Sequence, residues 1–211
     1  HPDLKNYIWY NMNEIKNDGI DNDKNGYIDD INGWDFYNND NTICSYEYNN
    51  ATKTYISNHY DNDDHGTSVA GVIVMNYDKI SEMKGLNNNI KIMGLKIQGG
   101  VKGTGTIASA VSAIEYAEAN GAKICNISLG TYTYSEVLEN TIKESHMLFI
   151  TAAGNNEVNN DEHPVYPASY DCDNIISVGA SDEEGNLANH ANYGKNTVDI
   201  VAPGLDVNST I

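Results

Sequence analysis

The feature that most constrains the fold is an uncharged run of small and branched residues after a single histidine. A cluster of acids ending at Asp64 leads into His65, and the ten positions that follow carry no charge. Asp64 is a good N-cap residue, so a buried helix is expected to begin at or near His65. Because Gly66, Ala70 and Gly71 have almost no side chain, this helix can press closely against a sheet. A histidine at the mouth of such a helix is well placed for proton transfer near neutral pH.

The net charge of the chain indicates which kinds of binding partner are disfavoured. The chain of 211 residues has 30 acidic and 12 basic side chains and a net charge of −18. This charge disfavours nucleic acids and anionic membranes and fits a secreted or cation-binding protein. We expect one domain and no membrane span, since no apolar run approaches about 20 residues. The three cysteines form no Cys-x-x-Cys pair, and a bridge between Cys44 and Cys172 stays open.

Residues 18–30 resemble the start of a calcium loop of the EF-hand type. Side chains with oxygen atoms alternate along this stretch, and a glycine stands at the sixth loop position, where a sharp turn is needed. The predicted ligands are Asp21, Asp23, Asn25, the Tyr27 carbonyl, and Asp29 or Asp30. The twelfth position holds Asn32 rather than the usual Glu, so another residue must complete the shell, and Glu14 is a candidate. The alternative is a solvated acidic turn.

Apolar periodicity predicts strands that alternate with helices. Strands are expected at 90–97, 123–130, 147–155, 174–180 and 197–202, and helices at 65–74, 106–120 and about 133–145. The last helix is expected to open with a capping box at Thr133 and Glu136. The composition predicts loops at 38–63 and 75–89 and a buried strand at 123–130. The alternation predicts an α/β fold with three layers, a mostly parallel sheet and helices on both faces. Gly130 and Asn155 would lie at carboxyl ends of strands, where functional residues collect.

Eight short motifs occur in the order found in the subtilisin-like serine proteases, or subtilases. The stretch His65-Gly-Thr-Ser-Val-Ala-Gly71 resembles the histidine motif of that family. The others are the acidic loop with Gly33-Trp-Asp-Phe36, Asn126-Ile-Ser-Leu-Gly130, Ala152-Ala-Gly-Asn155, Tyr166-Pro-Ala168, Ser177-Val-Gly-Ala180, Asn192-Tyr-Gly194 and Ala202-Pro-Gly204. The acidic loop is similar to the calcium-binding insertion of one branch of the family.

The resemblance implies an acyl-transfer mechanism with polypeptide substrates. A serine would attack the peptide carbonyl, His65 would accept its proton, and Asn155 would donate to the oxyanion. The implied substrate-binding residues are Ser128, Leu129, Gly130, Ala152, Ala153 and Gly154. For Asn155 the alternative is an ordinary turn residue, and for 128–130 it is a strand end. Bound Ca²⁺, secretion or another extracytoplasmic location and an inhibitory pro-segment are further expectations.

The triad of this family runs Asp, His, Ser along the chain, and two of its motifs do not occur in the 211 residues. No Asp-Thr-Gly is present, and the one Gly-Thr-Ser belongs to the histidine motif. We therefore expect the aspartate motif before His1 and the serine motif after Ile211, so that 1–211 is a partial catalytic domain. Two hypotheses remain, a stretch of an active calcium-dependent endopeptidase and a non-catalytic subtilase-like binding or regulatory protein. Retention of His65 and Asn155 favours the first.

Overall fold

The secondary structure follows the predicted alternation of strands and helices. The computed structural model describes residues 1, 3–44, 46–49, 54–57, 65–74, 90–100 and 103–210, for 46–49 and 54–57 the backbone alone. The strands are β1 (Gly33–Asp35), β2 (Tyr46–Asn49), β3 (Thr54–Ser57), β4 (Gly94–Lys96), β5 (Gln98–Gly99), β6 (Thr104–Gly105), β7 (Ile124–Ile127), β8 (Leu148–Ala152), β9 (Ile175–Ser181) and β10 (Ile200–Pro203). The helices are α1 (His65–Val74), α2 (Ile107–Ala119) and α3 (Glu136–Glu144).

The chain forms two compact units, the first of which comprises His1–Ala113 and Asn208–Ile211. In this unit β1 and β4 pair in parallel, with Gly33 opposite Gly94. Its core joins Leu4 to Ala70 and Val74 of α1, and Ile90 and Ile92 are among the half-buried residues that pack on it. The apolar side of α1 is therefore buried, as its sequence predicts, whereas its first two residues are exposed.

The predicted loop at 38–63 is wrong for part of its length. Strands β2 and β3 lie within it and pair antiparallel, with Tyr46 opposite Ser57 and Asn49 opposite Thr54. Tyrosine, threonine and isoleucine favour strands, but the surrounding Asn and Asp residues conceal this short run in the overall composition. The predicted loop at 75–89 lies outside the described residues.

The second unit, Ile114–Val207, contains a parallel sheet of four strands in the order β10-β9-β8-β7. Phe149 of β8 and Ile142 of α3 are fully buried, and Met147 is 1% exposed. These strands run in the same direction, so their carboxyl ends lie along one edge of the sheet. The residues after β7 and β8 are thus brought to the same edge, as the strand pattern predicts.

The predicted buried strand at 123–130 is shorter and more exposed than expected. Strand β7 ends at Ile127, and Ile124 is 64% exposed. Within the described residues β7 is the last strand of its sheet and pairs only with β8. An apolar run indicates that a strand can be buried, and its neighbours decide whether it is.

Helix α3 begins two residues later than its predicted capping box suggests. The N-cap is Ser135, whose hydroxyl oxygen accepts a hydrogen bond from the Leu138 N–H at 3.3 Å. Thr133 stands outside the helix, and its N–H donates to the Thr131 hydroxyl oxygen at 3.1 Å. Both residue types cap helices well, so the spacing to the apolar residues Leu138 and Ile142 decides between them.

No disulfide bond joins Cys44 to Cys172, so the bridge that the sequence leaves open is not formed. Burial raises the pKa of the Cys125 thiol to about 11. Among the described residues, no helix is both long enough and apolar enough to cross a lipid bilayer.

Candidate active site and acidic loop

His65 is the first residue of α1, and it is exposed. This agrees with its predicted position at the start of the helix, whereas the predicted N-cap Asp64 lies outside the described residues. Because the helix begins at His65, the imidazole is attached to a buried element while the ring itself reaches solvent. The local sequence thus places an imidazole, a group that can accept a proton, at an accessible position.

The glycine side of α1 is covered by the end of the chain. The Thr210 hydroxyl donates to the Thr67 carbonyl at 2.7 Å, and the Ser209 hydroxyl donates to the Ser68 carbonyl. A Cβ atom on Gly71 would lie 2.3 Å from the Thr210 Oγ1 atom, so only glycine permits this approach. The small residues of α1 therefore allow a close contact, as predicted, but the segment that makes it was not identifiable from the sequence.

Asn155 lies in a tight turn at the carboxyl end of β8. The Ala153 N–H still donates to the Val178 carbonyl of β9 at 2.9 Å, which keeps the start of the turn on the sheet. Gly154 then adopts φ +113°, a conformation that favours glycine, and reverses the direction of the chain. Asn155 follows as an exposed residue, so its side-chain amide can donate to a ligand at this edge.

Ser128, Leu129 and Gly130 follow β7 at the same edge of the sheet. Ser128 and Leu129 are half-buried and Gly130 is exposed. The next residue, Thr131, exchanges two backbone hydrogen bonds with Tyr166, at 2.9 and 2.8 Å. The predicted substrate-binding groups at 128–130 and 152–154 thus come from two adjacent parallel strands, β7 and β8.

In the acidic loop, the structure brings together three of the predicted ligands. One carboxylate oxygen from each of Glu14, Asp21 and Asp23 lies within 4.8 Å of the others. Gly26 adopts φ +96°, which gives the sharp turn expected at the sixth position. Glu14 is only 5% exposed, although it precedes the loop by several residues. Its carboxylate also accepts backbone hydrogen bonds from Asn22, Asp23 and Asp29, at 2.7, 3.0 and 3.1 Å.

The other predicted ligands make different contacts. The Asp29 carboxylate accepts from the Asp18 and Gly19 N–H groups at 3.1 and 3.0 Å, and the side-chain oxygen of Asn25 accepts from the Tyr27 N–H at 2.8 Å. The Asp30 carboxylate is fully buried and accepts from the Asn25 amide at 2.8 Å. The ring of Tyr27 packs edge-on against Trp34, with centroids 5.1 Å apart, and so anchors the loop on β1.

Two polar residues that accept or donate several hydrogen bonds were not predicted. Asn11, only 2% exposed, donates to the Asp23 and Asp30 carboxylates at 3.0 and 2.9 Å. Asp161 accepts from the backbone N–H groups of residues 195–197, and the hydroxyl of Thr197 donates to it at 2.8 Å. The Thr197 hydrogen bond is the main reason why the pKa of Asp161 lies below its usual value. Neither residue belongs to a periodic pattern, so no local signal marks it.

Several proteins of known sequence or structure resemble this chain. It is 36% identical over 163 residues to a thermophilic serine proteinase of Bacillus sp. strain AK1, a match covering 74% of this chain and 39% of that protein. It is 32% identical over 154 residues to subtilisin DY of Bacillus licheniformis, covering 71% and 54%. The chain thus spans 39% to 54% of the length of these relatives.

Solved structures give the class of fold. A lanthipeptide protease superposes with a TM-score of 0.61 at 23% identity, over 97% of this chain and 51% of the other. The prenylagaramide maturation protease PagA gives a TM-score of 0.58 at 30% identity, over 68% and 52%. These likenesses confirm the predicted three-layer α/β fold of subtilisin-like proteins, with its mostly parallel sheet. The chain belongs to the subtilase family (peptidase S8), whose family model matches residues 1–211.

Proposed function

We propose that the full-length protein is a serine endopeptidase that cleaves polypeptides by acyl transfer. The observation that carries this proposal is the exposed Asn155 in the glycine turn at the carboxyl end of β8. A side-chain amide at this position can stabilise the negative charge that develops on a carbonyl oxygen. The adjacent residues 128–130 offer backbone groups for pairing with an extended peptide, and 152–154 would form one wall of a side-chain pocket.

In this proposal His65 acts as general base. Its neutral imidazole accepts the proton of a serine hydroxyl as the hydroxyl oxygen attacks the peptide carbonyl, and the imidazolium then protonates the leaving amine. The serine and the aspartate that orients the histidine belong to motifs that the 211 residues do not contain. His65 and Asn155 are therefore the parts of the machinery that this chain supplies.

The test compares two exposed histidines in the full-length protein. We expect His65→Ala to lower kcat by several orders of magnitude, because the general base is lost. The matched control is His146→Ala, which removes an exposed histidine that contacts Glu118 and should leave kcat unchanged. A His65→Ala protein that keeps its turnover would disprove the role of His65.

A serine-directed phosphonate tests the second hypothesis on the same preparations. We expect the wild-type full-length protein to be labelled at one serine, and the label to appear far more slowly in His65→Ala. A folded wild-type protein that neither hydrolyses peptides nor takes the label would support a non-catalytic binding or regulatory protein.

We also propose that the acidic loop binds Ca²⁺ and that the enzyme depends on it. Calcium takes six to eight oxygen ligands at about 2.3–2.6 Å, so oxygens on one ion lie within about 5.2 Å of each other. The Glu14, Asp21 and Asp23 oxygens meet this limit, and their hard, charged donors suit the ion. When bound, the ion would neutralise carboxylates that otherwise repel one another. The remaining predicted ligands, Asn25, Tyr27, Asp29 and Asp30, would complete the shell after local rearrangement.

Two further proposals concern the cellular context. The net charge of −18 supports a secreted or extracytoplasmic location. Calcium is abundant in such surroundings. A peptide-binding edge at 128–130 could equally be covered by a pro-segment, which would act as an inhibitor until its removal. Immunoblotting of culture medium and cell lysate with an antibody to residues 103–210 would test both, through the location and the size of the protein.

A further inference from the structure

The turn that carries Asn155 is held by two asparagine side chains from elsewhere in the chain. Asn160 and Asn192 are both fully buried, although they lie next to an exposed turn. A buried primary amide is costly unless its donors and acceptors are paired. Both amides are paired with the turn or with each other, so the turn is the structure that they stabilise.

The Asn192 amide contacts the chain on both sides of Asn155. Before it, the Asn192 Nδ2 group donates to the Ala153 carbonyl at 3.1 Å. After it, the Asn192 Oδ1 atom accepts from the backbone N–H groups of Asn156 and Val158, at 2.7 and 3.3 Å. The loop between these contacts is short, and Asn155 is exposed within it.

Three other contacts complete the arrangement. The backbone N–H of Asn192 donates to the Gly154 carbonyl at 2.9 Å, and its Nδ2 group donates to the Asn160 Oδ1 atom at 3.0 Å. The Asn160 amide in turn donates to the Ala153 carbonyl at 2.8 Å. The Asn192 side chain has two N–H donors and two lone pairs, and all of them are used. No other natural side chain of this size offers the same set.

Gly154 is required by this contact as well as by the turn. A Cβ atom at this residue would lie 2.5 Å from the Asn192 Nδ2 atom and would displace the amide. The positive φ of +113° independently favours glycine. Glycine at position 154 is therefore required both by the conformation of the turn and by the contact with Asn192.

A hydrogen-bond donor for an oxyanion is effective when its position is fixed before the reaction begins. Asn155 itself is exposed, and Asn192, supported by Asn160, binds the backbone on both sides of it. We propose that Asn192 is a positioning residue, which acts on the reaction by holding Asn155 in place, and that Asn160 supports it. This inference rests on the proposed endopeptidase function.

A double-mutant cycle in the full-length protein tests the proposal. We expect Asn192→Ala to lower kcat by roughly 10- to 100-fold with KM nearly unchanged, because a displacement near 1 Å has effects of this size. We expect the Asn155→Ala/Asn192→Ala double variant to be no slower than Asn155→Ala alone, because Asn192 acts through Asn155. Losses that multiply in the double variant, or an Asn192→Ala protein with wild-type kcat, would overturn the proposal.

Two variants control for stability. Asn192→Asp keeps an acceptor for the Asn156 and Val158 N–H groups but loses both donated hydrogen bonds. It should therefore lower kcat less than Asn192→Ala does. This variant replaces Asn192→Ala in the test if Asn192→Ala folds poorly. Asn174→Ala removes an amide that lies within hydrogen-bond distance of the Ile142, Ser145 and Met147 carbonyls, near the end of α3. Asn174→Ala should lower the melting temperature while kcat stays unchanged.

Hydrogen exchange separates this proposal from the proposed function. The backbone N–H groups of Asn156 and Val158 should be protected in the wild-type protein and in Asn174→Ala, and should exchange faster in Asn192→Ala. If the wild-type protein is inactive, the proposed function fails, and the exchange rates alone decide whether Asn192 holds the turn. Equal protection of these two N–H groups in the wild-type and Asn192→Ala proteins would overturn the inference.

Discussion

Asn155 and Asn156 are adjacent, exposed asparagines in one turn, but their side chains have different surroundings. The Asn156 side-chain carbonyl accepts from the Tyr132 hydroxyl at 3.1 Å, so it has a structural partner. Asn155 projects from the turn whose backbone is held by Asn192. This difference is the reason why the proposed oxyanion donor is Asn155 and not its neighbour.

We expect Asn155→Ala in the full-length protein to lower kcat with KM little changed, because the lost hydrogen bond forms mainly in the transition state. Removal of this donor in a subtilisin lowers kcat by about 10²–10³-fold, which sets the expected scale. Steady-state kinetics on a peptide substrate provides the measurement, and Asn156→Ala is the matched control. An effect confined to KM would assign Asn155 to ground-state binding instead.

At the scale of elements, the acidic loop combines a glycine turn with carboxylates from outside the turn. Glu14 accepts three backbone hydrogen bonds and also lies against Asp21 and Asp23. Because the unfolded chain cannot hold these carboxylates together, the free energy of cation binding adds to the stability of the folded state.

We expect calcium to raise the melting temperature, since at 100 times its Kd a ligand adds about 2.7 kcal/mol to the free energy of unfolding. Asp21→Asn with Asp23→Asn should abolish this response, because two of the three gathered carboxylates are lost. Thermal melts across a calcium titration provide the measurement.

The control for the loop is Asp171→Asn with Asp173→Asn, which makes the same charge change at the same spacing in two exposed residues. This control should respond to calcium like the wild-type protein. If the melting temperature of the wild-type protein does not change between micromolar and ten-millimolar calcium, the loop is a solvated acidic turn and not a calcium site.

Helix α3 offers a second test at this scale. We expect Ser135→Ala to lower the free energy of unfolding by about 1 kcal/mol, because the Leu138 N–H loses its capping partner. Thr133→Ala, at the position that the sequence pattern favours, should change it little. Denaturant unfolding of both variants gives the comparison, and a larger effect at Thr133 would contradict the observed cap.

At the scale of the whole molecule, the 211 residues contain His65 and Asn155 but neither an Asp-Thr-Gly nor a separate Gly-Thr-Ser-Met-Ala motif. We therefore expect this polypeptide alone to hydrolyse no peptide above background, because the nucleophile is missing. Incubation with a serine-directed phosphonate, followed by mass spectrometry, should find no adduct. Stoichiometric labelling of any serine, Ser68 included, would refute this account of the site.

The sequence by itself determined the features that local patterns encode. The start of α1 at His65, the turn glycines Gly26 and Gly154 and the parallel α/β class each follow from residues that are close together in the chain. Periodicity and glycine conformation act over a few residues, so a pattern of that length is sufficient to predict them. The order of the short motifs likewise indicates the subtilase family, which the family model confirms.

Only the tertiary structure decided which distant residues meet. Asn192 contacts Asn156 across 36 positions of sequence, and Thr210 contacts Thr67 across 143. The exposure of β7 and the choice of Ser135 over Thr133 as the cap depend in the same way on what packs nearby. No local sequence pattern distinguishes a buried asparagine from an exposed one. Its role comes from the hydrogen-bond partners that folding brings to it, and those partners leave no periodic mark in the sequence.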